Sequence, residues 1–518
     1  MSESNTRIYK VLSGFDRLKW SVAGKGILVG FISGLLAVLY RLGIEYGTDT
    51  SLKIYSCLRI HPIYIVPWIA AAVASGLFIA WLVKLEPMAA GSGIPQVEGV
   101  VLFGLKMKWY TILAVRFLAG TLGSFFGLSL GREGPSIQIG AAGGQAVAKN
   151  MSGSSIEENY LITGGAAAGL SAAFSAPLSG MMFALEEVHR SFSPVILLSA
   201  TTASLTADYV SKYFFGLKPV LDFTAIPQLP IGLYLWMIPL GIVSGLAGSL
   251  MNKTLLALQT LYGKLPAFSR PAAALMIALP CGMFLPAVLG GGQGLIKLSE
   301  NSKSGIVMLL IYLIAKLLFT GASFGSGVPG GIFMPILSVG ALTGSICGIL
   351  AAHAGLPAQF IPDFAVCAMA GALSSSVKAP VTSILLTTEM AGSLVHMLPV
   401  AACAFTALLL SDLLKVEPVY EVLLERYVDQ NGKKLPVQER GGLVEFPVEL
   451  GSEASGRMVR DIEWPNGSLI VGLRRGEKEL VPGGGTKILP GDYLVVLFSA
   501  EDEDIRDKMS LLCHAKVL

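Results

Sequence analysis

Apolar stretches recur along most of the chain, near residues 26–47, 62–83, 109–130, 158–185, 193–214, 231–256, 271–290, 305–324, 333–355, 364–392 and 394–414. Residues 62–83 carry no charge and reach the ~20 residues that a spanning helix needs. Others are broken by Gly and Pro where an ordinary span would run on, as in LSLGREGPSIQIG and FGSGVPGGIFMPIL. Inside a bilayer such breaks are tolerated only where the freed backbone is buried in protein or lines a cavity, so each one marks a candidate site. After the last apolar stretch the pattern changes. Short β-type runs, SLIVGLRRG and DYLVVLFS, alternate with the turns WPNG, VPGGG and LPGD, which predicts a small soluble module rich in strands.

Composition supports this division. Of 518 residues 53% are hydrophobic and 14% charged, against about 25% charged in a soluble protein, which excludes a wholly water-facing surface, disorder and coiled coil. The shortage is local, with about 30% charged from Arg426 onward and about 11% before it. The expected organisation is a cytoplasmic N-terminal segment (1–25), a membrane domain (26–425, with halves near 26–215 and 230–415), a linker (426–441) and a cytoplasmic domain (442–518). Arg7, Lys10, Arg17, Lys19 and Lys25 precede the first apolar run and place that end in the cytoplasm by the positive-inside bias. This stretch lacks the apolar core and cleavage site of a signal peptide. A net charge of +3 offers nothing to a nucleic acid. Six scattered cysteines (Cys57, Cys281, Cys347, Cys367, Cys403, Cys513) and five histidines have no metal-ligand spacing; the cysteines read as small core residues, and no metal or cofactor is expected.

The chain also repeats itself. A shift of 200 lays Arg116 over Lys316, Pro135 over Pro335 and Gly140 over Gly340; a shift of 203 lays Ala176-Pro177 over Ala379-Pro380 and Glu186 over Glu389. GSGIP at Gly91 approaches GGQG at Gly291. Two related membrane halves with breaks in corresponding places point to a transport site at their interface. The spans are not delimited well enough to decide whether the halves are inverted.

GSGIP (91–95), GREGP (131–135) and GIFMP (331–335) share a design in which Gly permits close backbone approach and Pro sits early in a helix, where its missing N–H costs nothing. Each predicts a helix N-terminus within the membrane. Free N–H groups and the positive dipole end suit an anion, and three together could hold one without an adjacent Lys or Arg. Glu133 is a carboxylate at such a start, hence an anion able to occupy the same place until protonation releases it. Taken alone, GREGP is equally an acid-capped helix and the Glu186-Glu187 pair an ordinary charged helix end.

These blocks, with the Ala-Pro…Glu-Glu run and Pro-Val-Tyr at 418–420, resemble the CLC family of chloride channels and proton-coupled chloride transporters across roughly residues 25–425. The resemblance implies an all-α polytopic membrane fold of two inverted repeats with broken helices, assembled as a homodimer in a bacterial inner membrane with both termini cytoplasmic. Carried over by position, it makes Ser92, Ile332, Phe333 and Tyr420 chloride-binding, Glu133 the external gate, and Glu187 the internal proton acceptor that distinguishes antiporters from channels. It implies chloride/proton antiport, with a passive channel of the same fold as the alternative. Ser92 implies chloride, since nitrate-preferring members often carry proline there and the fluoride branch departs from the motif. From Gly442 the tail resembles the TrkA-C (RCK-C) regulatory domain, an α+β module that implies a sensor of a small cytoplasmic ligand, with a role in stability or dimerisation as the alternative. A membrane hydrolase is the remote rival: Gly127-Leu128-Ser129-Leu130-Gly131 fits G-x-S-x-G, and Gly169-Leu170-Ser171-Ala172 resembles a protease serine loop. Both lie in apolar helical sequence without a general base nearby.

Overall fold

The computed structural model describes residues 3–151, 154–221, 223, 227, 229–300, 305–430, 441–449, 451–475, 478–499 and 503–513. These fall into two compact units, Met1–Arg426 and Tyr427–Leu518. The expected linker is helical as far as Gln430, and 431–440 lie outside the described residues.

The first unit is helical. Among the described residues seven helices are long and apolar enough to cross a membrane: Trp20–Ile60, Pro62–Leu85, Ile231–Gly263, Ile306–Gly325, Phe333–His353, Ala358–Val377 and Leu394–Leu413. They differ in placement. Pro62–Leu85 is only 17% enclosed by protein, whereas Ala358–Val377 is 94% enclosed and so presents almost nothing to lipid. The first helix begins at Glu3 and runs unbroken to Ile60, and its part apolar enough to cross a membrane is Trp20–Ile60.

Two expected spans are each split, and in the same way. Ser155–Phe174 ends at Ser175 in the left-handed region (φ 52°), after which Pro177 starts Pro177–Phe183 and a π turn, Ala184–Val188. Ile361–Val377 ends at Lys378 (φ 63°), and Pro380 starts Pro380–Ala391. In both, Pro occupies the first helical position, where φ suits it and no N–H is lost.

The halves meet through reciprocal contacts. Gly131 N–H donates to Gly331 O and Gly331 N–H to Gly131 O, each at 2.7 Å, as an isolated antiparallel bridge. Glu186 accepts from the N–H groups of Val381 (3.2 Å) and Thr382 (2.8 Å) and from the Thr382 hydroxyl (2.7 Å). Glu389 accepts from the N–H groups of Leu178 (3.0 Å) and Ser179 (2.7 Å) and from the Ser179 hydroxyl. Each half therefore caps the short helix of the other, satisfying N–H groups that helix geometry leaves without partners. Such mutual contacts are what an approximate two-fold axis requires. Glu186 is thus a cap across the repeat interface, a more specific role than a charged helix end.

Glycine serves helix crossings as well as helix starts. A Cβ at Gly340 would stand 2.6 Å from Ala368 O, and one at Gly169 would stand 3.1 Å from Ile137 Cα. Small residues at these points let backbones approach closely, which in lipid is a main source of helix association. The cysteines divide differently from expectation. Cys367, Cys403 and Cys513 are buried, Cys281 and Cys347 are half-buried with Cys281 packed against the core, and Cys57 is exposed on the first helix and departs from the core reading.

The second unit holds a four-stranded antiparallel sheet, β1 (Gly441–Pro447), β2 (Leu469–Arg475), β3 (Lys478–Leu480) and β4 (Tyr493–Ser499), in the order β1-β4-β2-β3, with a helix Glu503–Cys513. Phe446, Val448, Leu473, Ile488, Leu494, Val496 and Met509 form its core. Burial pushes the Cys513 thiol up to about 11, consistent with an inert packing residue. Asp492 is buried beneath Arg475, whose Nε and Nη2 donate to it at 2.8 and 2.7 Å, and Leu489 N–H donates at 2.8 Å. Burial opposes ionisation of Asp492, but these donors outweigh it and hold its carboxyl below the usual range.

A depressed folded value gives a stability contribution that is complete above about pH 4, the ordinary aspartate value, and is lost as pH falls below it. Asp492→Asn is expected to destabilise this unit by about 2 kcal/mol at pH 7, the worth of a charged hydrogen bond. The deficit shrinks toward pH 3. Thermal melts of the full chain at the two pH values check this, and an equal deficit at both would contradict it.

Candidate functional site

The three Gly-Pro motifs each begin a helix, Ile94–Phe103, Glu133–Met151 and Phe333–His353. Their starts converge. A Cβ on Gly134 would stand 2.6 Å from both the carbonyl oxygen and Oγ of Ser92, and 3.3 Å from Gly331 Cα. Only glycine permits Ser92, Glu133 and the Gly331 turn to share this point. Ile332 and Phe333 are buried there and lead the third helix, whose first-turn N–H groups have no partner within it.

The turn carrying Ser92 depends on backbone that glycine favours. Gly91 and Gly93 have φ of 60° and 95°, and a Cβ on Gly93 would lie 2.6 Å from Arg116 Nη2. The other half repeats the turn at Gly290 (φ 62°) and Gly292 (φ 100°), one residue earlier than the sequence match with Gly291 places it. Both turns are held by a fully buried cation. Arg116 Nη1 donates to Gly91 O and its Nε to Gln138 Oε1, each at 2.6 Å. Lys316 Nζ donates to Gly290 O at 2.7 Å and Val288 O at 3.1 Å. Arg116 and Lys316 thus each hold the backbone of one turn through its carbonyl oxygens.

Glu133 is 1% exposed, and its Oε2 has no hydrogen-bond partner among the described residues. It lines a cavity of about 370 Å³ with Glu45, Arg132, Lys297 and Met334. Arg132 is paired with Glu45, which also accepts from Arg41 Nε at 3.0 Å. Tyr420 is fully buried, its ring stacked on Phe333 at 6.0 Å, and Phe333 meets Phe183 edge-on at 5.7 Å. The hydroxyls of Tyr420 and Ser92 lie close to each other, neither has a further hydrogen-bond partner among the described residues, and the Tyr420 hydroxyl is within electrostatic reach of both Glu133 and Glu187. Buried polar groups are seldom left unpaired, so a cluster of such atoms suits a polar ligand.

Glu187 stands on the π turn that follows Pro177–Phe183. It is 5% exposed, has an unpaired Oε1, and lines a separate cavity of about 260 Å³ with Glu186, Arg190, Lys378 and Glu421. The site residues therefore run from Glu133 at one cavity, through Ser92 and Tyr420, to Glu187 at the other. Sequence reasoning missed two ionic groups flanking this run. One is Arg132, Glu45 and Arg41 beside Glu133, and the other joins Arg190 to Glu98 and Glu421, each at 2.7 Å. Glu98, a carboxylate in an apolar segment just after GSGIP, was a visible signal.

Among the described residues neither serine of the hydrolase reading is bonded to a base. The Ser129 hydroxyl bonds the Thr320 hydroxyl at 2.7 Å, and Ser171 donates to Ser204 O at 2.8 Å from mid-helix.

Comparison with known proteins agrees with this architecture. The family model described as "Voltage gated chloride channel" matches residues 75–412, and the TrkA-C domain model matches 443–509. The H(+)/Cl(-) exchange transporter ClcA of Cronobacter sakazakii is 32% identical over 84% of this chain and 96% of its own length; that of Citrobacter koseri is 33% identical over 79% and 89%. A solved cyanobacterial Cl-/H+ antiporter aligns with a TM-score of 0.74 at 27% identity, covering 80% of this chain and 99% of that one. A eukaryotic CLC transporter at 19% identity, TM-score 0.66, covering 78% and 74%, shares the fold. With its family model covering well over half of the sequence, the chain belongs to the voltage-gated chloride channel (CLC) family of transporters and channels, and carries a TrkA-C domain after its membrane part.

Proposed function

We propose that this protein exchanges chloride for protons across a membrane. Chloride binds between Ser92 Oγ, the Tyr420 hydroxyl and the N–H groups of Ile332 and Phe333. Glu133 is the external gate, a carboxylate that takes the anion's place and leaves it on protonation, and Glu187 is the internal proton acceptor. One observation carries the reading: two buried carboxylates with unpaired oxygens line separate cavities, with two unpaired buried hydroxyls between them. An anion needs donors alone, whereas a proton needs titratable groups at both ends, and a pure channel has no use for the second carboxylate. The exchangers among the relatives support the same reading.

The proposal extends to a homodimer with both termini cytoplasmic, domain limits near residues 26, 426 and 442, and a small regulatory ligand on the TrkA-C domain. Purified protein in liposomes, given a chloride gradient, is expected to move protons uphill. Brisk chloride flux with no proton movement would replace antiport with a passive channel.

A further inference from the structure

We propose that Arg190 is a releasable clasp on the anion path, joining the turn that carries Glu187 to both helices that present the chloride-binding hydroxyls. This rests on the roles proposed above for Ser92, Tyr420 and Glu187. Arg190 lies three residues beyond Glu187. Its Nη2 meets Glu98 Oε1 at 2.7 Å, on the helix Ile94–Phe103 that Ser92 introduces. Its Nη1 meets Glu421 Oε1 at 2.7 Å, on Val419–Gln430, next to Tyr420. One guanidinium thus touches carboxylates from two elements while belonging to a third. Its backbone is held in the left-handed region (φ 51°), which a residue with a Cβ keeps only where its surroundings impose it.

The two arms differ in cost of release. The Glu98 side chain is 1% exposed, so parting it from Arg190 strands a buried charge; that arm is permanent. Glu421 is 39% exposed and Arg190 30%, so water can replace their bond at little cost. The arm that can open is therefore the one on the Tyr420 helix. At its far end the same helix is tethered by Arg426 Nη1 to Leu256 O at 3.1 Å and Gln259 Oε1 at 2.8 Å. Release of Glu421 frees the Tyr420 end while Arg426 acts as the pivot. Other charges lining this cavity are already engaged, Lys378 with Asp412 at 2.6 Å and Glu186 with the Pro380–Ala391 helix start, so neither substitutes for the clasp.

The test compares the full-length protein with Glu421→Gln and Glu421→Asp in liposomes, measuring chloride turnover and protons moved per chloride, with chloride affinity from calorimetry. Glu421→Gln is expected to raise turnover about two- to fivefold, the factor an exposed ion pair is worth, and to lower the protons moved per chloride, at unchanged affinity. Glu421→Asp, which keeps the charge, returns most of the wild-type behaviour. Wild-type turnover and ratio in Glu421→Gln would overturn the clasp, as would an equal loss of turnover in both variants. If the unmodified protein moves no protons, the antiport reading fails, and the chloride turnover of Glu421→Gln still decides the clasp.

Discussion

In liposomes, Glu133→Ala is expected to carry chloride while moving no protons, with proton flux falling about a hundredfold or more toward the leak of empty vesicles. The carboxylate starts the helix Glu133–Met151, where N–H groups and the dipole suit an anion, and it has a buried oxygen with no partner among the described residues. Removing it vacates a place that chloride can fill, so anion passage survives and loses its dependence on pH. Alanine is compatible with the fold at a helix start, since the neighbouring Gly131–Gly331 bridge uses backbone alone. Persistent proton pumping by this variant would show that the gate lies elsewhere.

Glu187→Gln is expected to stop proton movement to a similar degree, about a hundredfold, while leaving chloride binding close to normal. The amide matches the carboxylate in shape, so the π turn Ala184–Val188 can keep its packing and Arg190 can keep both of its partners. Chloride affinity and proton flux measured on the same preparation separate the two roles. A large loss of chloride affinity would instead place Glu187 within the anion site. Glu133→Ala opens the path to anions, whereas Glu187→Gln removes only the route for protons, so the two variants fail differently on the chloride side.

Much of this was legible in the sequence, because breaks in apolar segments are local signals. Pro135, Pro335, Pro177 and Pro380 each mark a helix start, and nearly equal offsets between the halves, 200 and 203 residues, exposed the repeat. Roles that depend on distant partners were not legible. Glu186 caps a helix almost 200 residues away, and Arg190 joins carboxylates at 98 and 421, pairings that no local pattern encodes. The one-residue offset between Gly91 and Gly290 also escaped, because backbone φ, not residue identity, defines that turn. Exposed Cys57 shows the limit of apolar sequence as a sign of burial, since a spanning helix can be as apolar on its outward face as on its inward one.

The two-fold frame sorts its residues by what the second copy retains. Positions that build the frame are matched in kind: Gly131 with Gly331 and Glu186 with Glu389 across the halves, Arg116 with Lys316 within each. Positions assigned to transport are not. Glu133 stands opposite Phe333, Ser92 opposite Gly291 and Glu187 opposite Met390. A scaffold that reads alike from both ends is thereby given a front and a back. Its orientation in the membrane becomes part of its activity, and populations inserted in opposite senses are functionally different molecules built from one sequence.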